Sequence, residues 1–176
     1  MKKMFITSNQ QFGRHNAIQE FQRDFISVEA MDEYMIEQWN SVVGEDDIVY
    51  VAGNFAWDPE TAEDVVKRLN GDIVVMAGKW DHATYEIAQR YGEELGIAIT
   101  NEGVKYLKSL NVCVSYWPLQ DWPNKDKGAI SVVGIHNNKY KTNHKASRIN
   151  VSADYWDFKP VNVVDLMNLF KDPDLK

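Results

Sequence analysis

Five times along the chain, a short run of apolar β-formers stops at a cluster of polar or aromatic side chains. Met4-Phe5-Ile6-Thr7-Ser8 runs into Asn9-Gln10-Gln11-Phe12-Gly13-Arg14-His15-Asn16, and Ile48-Val49-Tyr50-Val51-Ala52 into Gly53-Asn54-Phe55. Val74-Val75-Met76-Ala77 is followed by Gly78-Lys79-Trp80-Asp81, Val112-Cys113-Val114-Ser115 by Tyr116-Trp117-Pro118, and Ile130-Ser131-Val132-Val133 by Gly134-Ile135-His136-Asn137-Asn138. Runs of this length and composition predict buried strands. Ligands of open α/β sheets bind outside the C-terminal strand ends. The five tips are therefore read as the lining of one pocket.

The segments between the tips read as helices and turns. Ala17 to Phe21 predicts a short helix. Ser27 is a plausible N-cap for a longer one, on which Met31, Tyr34, Met35, Ile36 and Trp39 repeat at helical spacing as a core stripe. Gly44 to Asp47 is a turn. Asp58-Pro59 opens another helix, as N-cap and first-turn proline, and Asn70-Gly71 closes it. Ala83 to Glu94 predicts a helix with Tyr85, Ile87, Ala88 and Tyr91 on one face. Ile97 to Thr100 and Val104 to Leu107 predict short strands, with a turn at Ser109-Leu110-Asn111, and Val163 to Leu169 a closing helix. The polar loop from Asp121 to Gly128 and the basic stretch from Lys139 to Ile149 have no clear pattern. Strands alternating with helices, then hairpin-like strands, predict an α/β sandwich with mixed β-sheets flanked by helices, in a single domain spanning 1–176.

Composition narrows the partners. A hydrophobic fraction of 44% supplies a real core, and a net charge of −7 with no basic run argues against a nucleic-acid polymer. A small anionic ligand is compatible, because a few local cations can hold one. Apolar runs are far below the ~18 residues that span a bilayer, and Met1-Lys2-Lys3 followed by a strand does not resemble a signal peptide. The single cysteine, Cys113, lies inside an apolar strand and reads as an inert core residue. The expectation is a cytoplasmic protein, with homo-oligomer formation left open.

The order of the five tips resembles the five blocks of the calcineurin-like metallophosphoesterases, and most their compact single-domain branch found in phages and bacteria. That family's pattern is Asp-x-His, Gly-Asp, Gly-Asn-His-Asp/Glu, a lone His, then Gly-His-x-His. Phe5-Ile6-Thr7-Ser8 with Phe12-Gly13, Trp39-Asn40-Ser41-Val42-Val43, Arg68-Leu69-Asn70-Gly71 and Trp156-Asp157-Phe158-Lys159-Pro160-Val161 carry the resemblance between and beyond the blocks. Every position at which the resemblance implies a metal ligand or catalytic histidine holds something else. Asn9, Gln11 and Asn54 stand for Asp, His and the bridging Asp. Lys79, Trp80 and Tyr116 stand for Asn and two His. Ile135 and Asn137 stand for the last two His. The resemblance implies the fold and the pocket; the replacements imply that neither metal nor cofactor is held there.

The substitutions share a direction. Two carboxylates are lost and Lys79 is gained, which relieves the buried negative charge that departing cations would leave behind. One reading is decay, with the polar groups satisfying each other. The favoured reading is a pocket rebuilt to bind without cutting. Trp80, Tyr116 and Trp117 offer faces for a nucleobase. Asn9, Gln11, Asn54 and Asn137 offer amides, and Arg14, Lys79, His15 and His136 offer groups for a phosphate. The expected ligand is a small nucleotide-like anion, and the expected role is sequestration, as by a phage sponge for a host immune signalling nucleotide. Two alternatives stand beside it. One is a protein-interaction module using Trp57 and Trp122 as exposed tryptophans outside the pocket. The other is a metal-independent hydrolase using His15, His136, Tyr116 or Lys79.

Overall fold

The computed structural model describes residues 2–134 and 147–171. Two mixed sheets face each other. The first has the order β4-β3-β2-β1-β9, from β1 (Met4–Thr7), β2 (Ile48–Val51), β3 (Asp72–Met76), β4 (Ile97–Thr100) and β9 (Val161–Asn162). Its first four strands are parallel and β9 is antiparallel to β1. The second has the order β5-β6-β7-β8, from β5 (Val104–Leu107), β6 (Val112–Ser115), β7 (Ile130–Val133) and β8 (Arg148–Asn150), with β5 antiparallel and the rest parallel. The helices are α1 (His15–Glu20), α2 (Val28–Asn40), α3 (Pro59–Arg68), α4 (His82–Leu95) and α5 (Val163–Lys171). None of the described helices is long and apolar enough to cross a membrane.

The two-residue period of a strand sorts side chains between two cores. Phe5, Val49, Val51, Ile73 and Val75 face α2 and α3, where they meet Met31, Met35, Trp39 and Val65. Ile6, Ala52 and Met76 face the second sheet, where they meet Val112, Val114, Val132 and Ile149. The caps fall where the sequence predicts. Ser27 Oγ accepts from Ala30 N at 3.2 Å, and Asp58 Oδ1 accepts from Thr61 N at 2.9 Å with Pro59 opening α3.

Three expectations need correction. On α4 the buried face is Ala83, Thr84 and Ile87, while Tyr85 and Tyr91 are exposed. Tyr85 sits two residues from Ile87, about 200° around the helix, so it cannot share that face. Trp122 is buried: it packs on Cys113 and Ala129, and its Nε1 donates to Ala129 O at 2.9 Å. Cys113 alternates with Val112 and Val114 and so points out of the sandwich, where the polar loop folds Trp122 onto it. The short strands β8 and β9 lie in segments where the pattern shows no strand, because two or three residues are too few for a periodic signal. His136, Asn137 and most of the basic stretch lie outside the described residues.

Candidate functional site

Backbone geometry brings the described strand tips together. Asn9 N donates to Gly53 O at 2.9 Å, Gln11 N to Asn54 O at 3.0 Å and Gly134 N to Ser115 O at 3.0 Å. The approach is so close that a Cβ at Gly53, whose φ is 73°, would lie 2.5 Å from Tyr116 and 2.9 Å from the Gly78 Cα. A side chain at Gly134 would run into the Ala52 carbonyl. Asn9, Gln11 and Asn54 themselves have φ of 58°, 56° and 46°. Asn tolerates this left-handed region better than most residues, whereas at Gln11 it costs about 1–2 kcal/mol.

Two buried groups hold these loops. Asp81, 3% exposed, accepts from Asn54 N at 2.8 Å, Gly78 N at 2.6 Å and Phe55 N at 2.7 Å. Burial pushes its carboxyl above the usual range, against the pull of those amides. Arg23 donates to the carbonyls of Asn9 and Gln10 at 2.6 and 2.7 Å and pairs with Asp154 at 2.8 Å. Sequence patterns do not mark Arg23; its neighbours Phe21 and Phe25 are a faint sign that an aromatic patch receives it.

The site is a cleft of about 150 Å³. Asn9, Gln11, Asn54 and Tyr116 line it together with Arg14, Glu20, Phe21, Trp80 and Trp117. Tyr116 is buried, not at the mouth, whereas Trp80 and Trp117 are 39% and 56% exposed. Lys79 is exposed, with Nζ 4.5 Å from the Trp80 ring centroid. Arg14 is not free: it donates to Gln11 Oε1, pairs with Glu20 and lies 4.9 Å from the Trp57 ring. Trp57, expected outside the pocket, stands at its rim, 5.7 Å from Trp80. His15 is exposed at the start of α1 and does not line the cleft. Glu20 and Phe21 are site residues that no local periodicity reveals.

The hydrogen bonds fix what the cleft can do. Asn9 Oδ1 accepts from Asn54 Nδ2 at 3.0 Å, Asn54 Oδ1 from Trp80 N at 3.2 Å, and Gln11 Oε1 from Arg14. Asn54 Nδ2 also donates to Tyr116 Oη at 3.1 Å, and Asn9 Nδ2 to Gly134 O. All three amide oxygens are thus engaged. The groups left without a protein acceptor among the described residues are donors: Gln11 Nε2, the Tyr116 hydroxyl hydrogen and Arg14 Nε. A two-cation centre does not fit this donor set. It needs anionic or imidazole ligands. Here the amide oxygens are occupied and an arginine stands beside them; no group of three or more His, Cys, Asp or Glu is assembled among the described residues.

Larger hollows lie elsewhere. One, about 670 Å³ along α4 and β4, is lined by Asp72 and Glu93 and, among the described residues, by no Lys or Arg, so an anion is disfavoured there.

Comparison with known proteins places the chain by shape. No family model matches it. It is similar to an uncharacterized protein of Methanocaldococcus jannaschii, with 28% identity over 97% of this chain and 93% of that protein. Among solved structures it is similar to a protein of unknown function from Aquifex aeolicus, with a TM-score of 0.71 and 16% identity over 96% of this chain and 100% of the other. The mixed α/β arrangement is therefore a shared fold; neither relative's name carries an activity.

Proposed function

We propose that the chain is a calcineurin-like phosphoesterase fold without its metal chemistry, and that its cleft captures a small nucleotide-derived anion and leaves it intact. The observation that carries this reading is the asymmetry of the cleft. Its amide oxygens are engaged and its unpaired amide, phenol and guanidinium hydrogens point to donation, below a rim of three exposed indoles, Trp57, Trp80 and Trp117. Donors suit phosphate oxygens, and each stacked base contributes roughly 1–3 kcal/mol. At about 150 Å³ the cleft is smaller than the ~300–1,000 Å³ of pockets that enclose a whole ligand. It takes one phosphate or one ring, and the remainder lies across the aromatic rim. The sponge role against a host signalling nucleotide draws its support from the resemblance to a phage-rich branch; both relatives found by comparison come from cellular organisms.

Calorimetric titration with cyclic dinucleotides and ADP-ribose derivatives tests the reading. One of them is expected to bind, and Trp80→Ala to weaken it by about 5- to 150-fold. Chromatography of the ligand recovered after denaturation is expected to return it unchanged. An altered product would mean turnover, with Lys79 and Tyr116 the first described residues to examine. Failure of the whole panel would favour the second reading, a protein-docking surface. That reading is supported by the exposure of the same indoles and by Ile26, which is 99% exposed.

A further inference from the structure

We propose that Glu20 holds the place of the ligand's anionic group on Arg14, so that capture exchanges one anion for another. The inference rests on the capture reading and names the anchor within the same cleft. Arg14 is the fixed member of the pair. Its side chain is 13% exposed, its guanidinium carbon lies 4.9 Å from the Trp57 ring and 5.6 Å from the Phe21 ring, and Nη1 donates to Gln11. Glu20 is the loose member, 51% exposed, at the last position of the six-residue α1.

The guanidinium edge formed by Nε and Nη2 presents two parallel N–H groups, which match two oxygens of one carboxylate or phosphate. Glu20 meets only Nη2. Nε, on the same edge, is buried and has no acceptor. A site built for a two-point anion is therefore held by a one-point substitute. An ion pair with a half-exposed partner is weak, and a phosphate brings more charge and more acceptor oxygens than one carboxylate. Phosphate entering the cleft takes both donors and releases Glu20 to solvent. The carboxylate in turn keeps the Arg14 guanidinium paired while the cleft is empty and raises the threshold for weak anions.

The test follows inorganic phosphate and pyrophosphate, at constant ionic strength, by thermal shift and by the Arg14 Nε–H resonance. Glu20→Gln lies on the surface and keeps a side chain of the same size. It is expected to lower the half-saturating anion concentration by about two- to fivefold, the strength of an exposed pair. Arg14→Lys keeps the charge, loses the edge and is expected to abolish the response. An unchanged or higher half-saturation in Glu20→Gln overturns the exchange, as does a full response in Arg14→Lys or a silent Nε–H signal. The two proposals fail separately. Phosphate exchange at Arg14 without any nucleotide binding would refute capture alone. Nucleotide binding that depends on Trp80 but ignores both Arg14 and Glu20 would refute the exchange alone.

Discussion

Asp32 shows how one side chain couples pH to the loop that carries the site. Its Oδ2 accepts from Gly13 N at 2.8 Å, while Oδ1 is buried without a partner. Burial pushes the carboxyl from 3.8 up to about 7; the Gly13 amide and Arg23 oppose the rise, and Glu29 and Asp58 add to it. The folded state therefore holds a proton that the unfolded chain releases at lower pH. Between 3.8 and about 7 the unfolded chain binds fewer protons, so stability falls as pH rises through that window and stays low above it. Asp32→Asn keeps an acceptor for Gly13 and removes the titration. It is expected to be more stable than the natural chain at pH 8 by about 1–3 kcal/mol after solvent screening. The advantage should shrink through the window and vanish below 3.8. Urea denaturation across pH 4–8 measures it, and equal pH profiles for the two proteins would refute the assignment.

The loop between β6 and β7 matters as an element because it completes the second sheet's outer face. β6 turns Cys113 outward, and Trp122 covers it from a loop of mostly polar residues, flanked by Lys125 at 4.7 Å and Arg148 at 5.8 Å from its ring. Burial holds the thiol up at about 11, so Cys113 should resist thiol reagents in the native protein. Trp122→Ala should cost about 3–5 kcal/mol and let an aromatic disulfide reagent modify Cys113 without denaturant. A thiol as inert as before would mean that the indole is not its cover. The stripe of α2 was legible beforehand except at Tyr34, which leaves the core and donates to Asp157, and so were the caps of α2 and α3, since each is set within a few residues. Trp122 was not, because an indole in a polar loop reads as exposed until the apolar face beneath it is known.

At the scale of the whole molecule, Arg23 joins the two sheets. It grips the Asn9 and Gln10 carbonyls beyond β1 and reaches Asp154 beyond β8, with side-chain exposures of 1% and 13% for the pair. The Ser8–Ser152 bridge runs alongside. Arg23→Met leaves the largely buried Asp154 carboxylate, which keeps Ser152 Oγ as a donor, without its counter-charge and takes the guanidinium from the Asn9 and Gln10 carbonyls, and is expected to cost about 3–5 kcal/mol in urea denaturation. Amide exchange at residues 9–11 should accelerate by more than the global loss of stability explains. A loss under 1 kcal/mol would place the joint elsewhere.

The sequence by itself determined the strands that end in polar tips, the order of those tips and most of the helices, because apolar period and capping are local properties. It also determined that Asn9, Gln11, Asn54 and Tyr116 supply no anionic ligand. Tertiary structure alone decided how those groups are used. Asn9 meets Asn54 across 45 positions and Asn54 meets Tyr116 across 62. Only the folded chain shows that all three amide oxygens already accept hydrogen bonds from Asn54, Trp80 and Arg14 while Gln11 Nε2 and Arg14 Nε stay without an acceptor among the described residues. The same holds for Trp57 at the rim and Glu20 on Arg14. Hydrogen-bond partners and burial depend on which distant segments meet, and periodicity along a chain carries no record of that meeting.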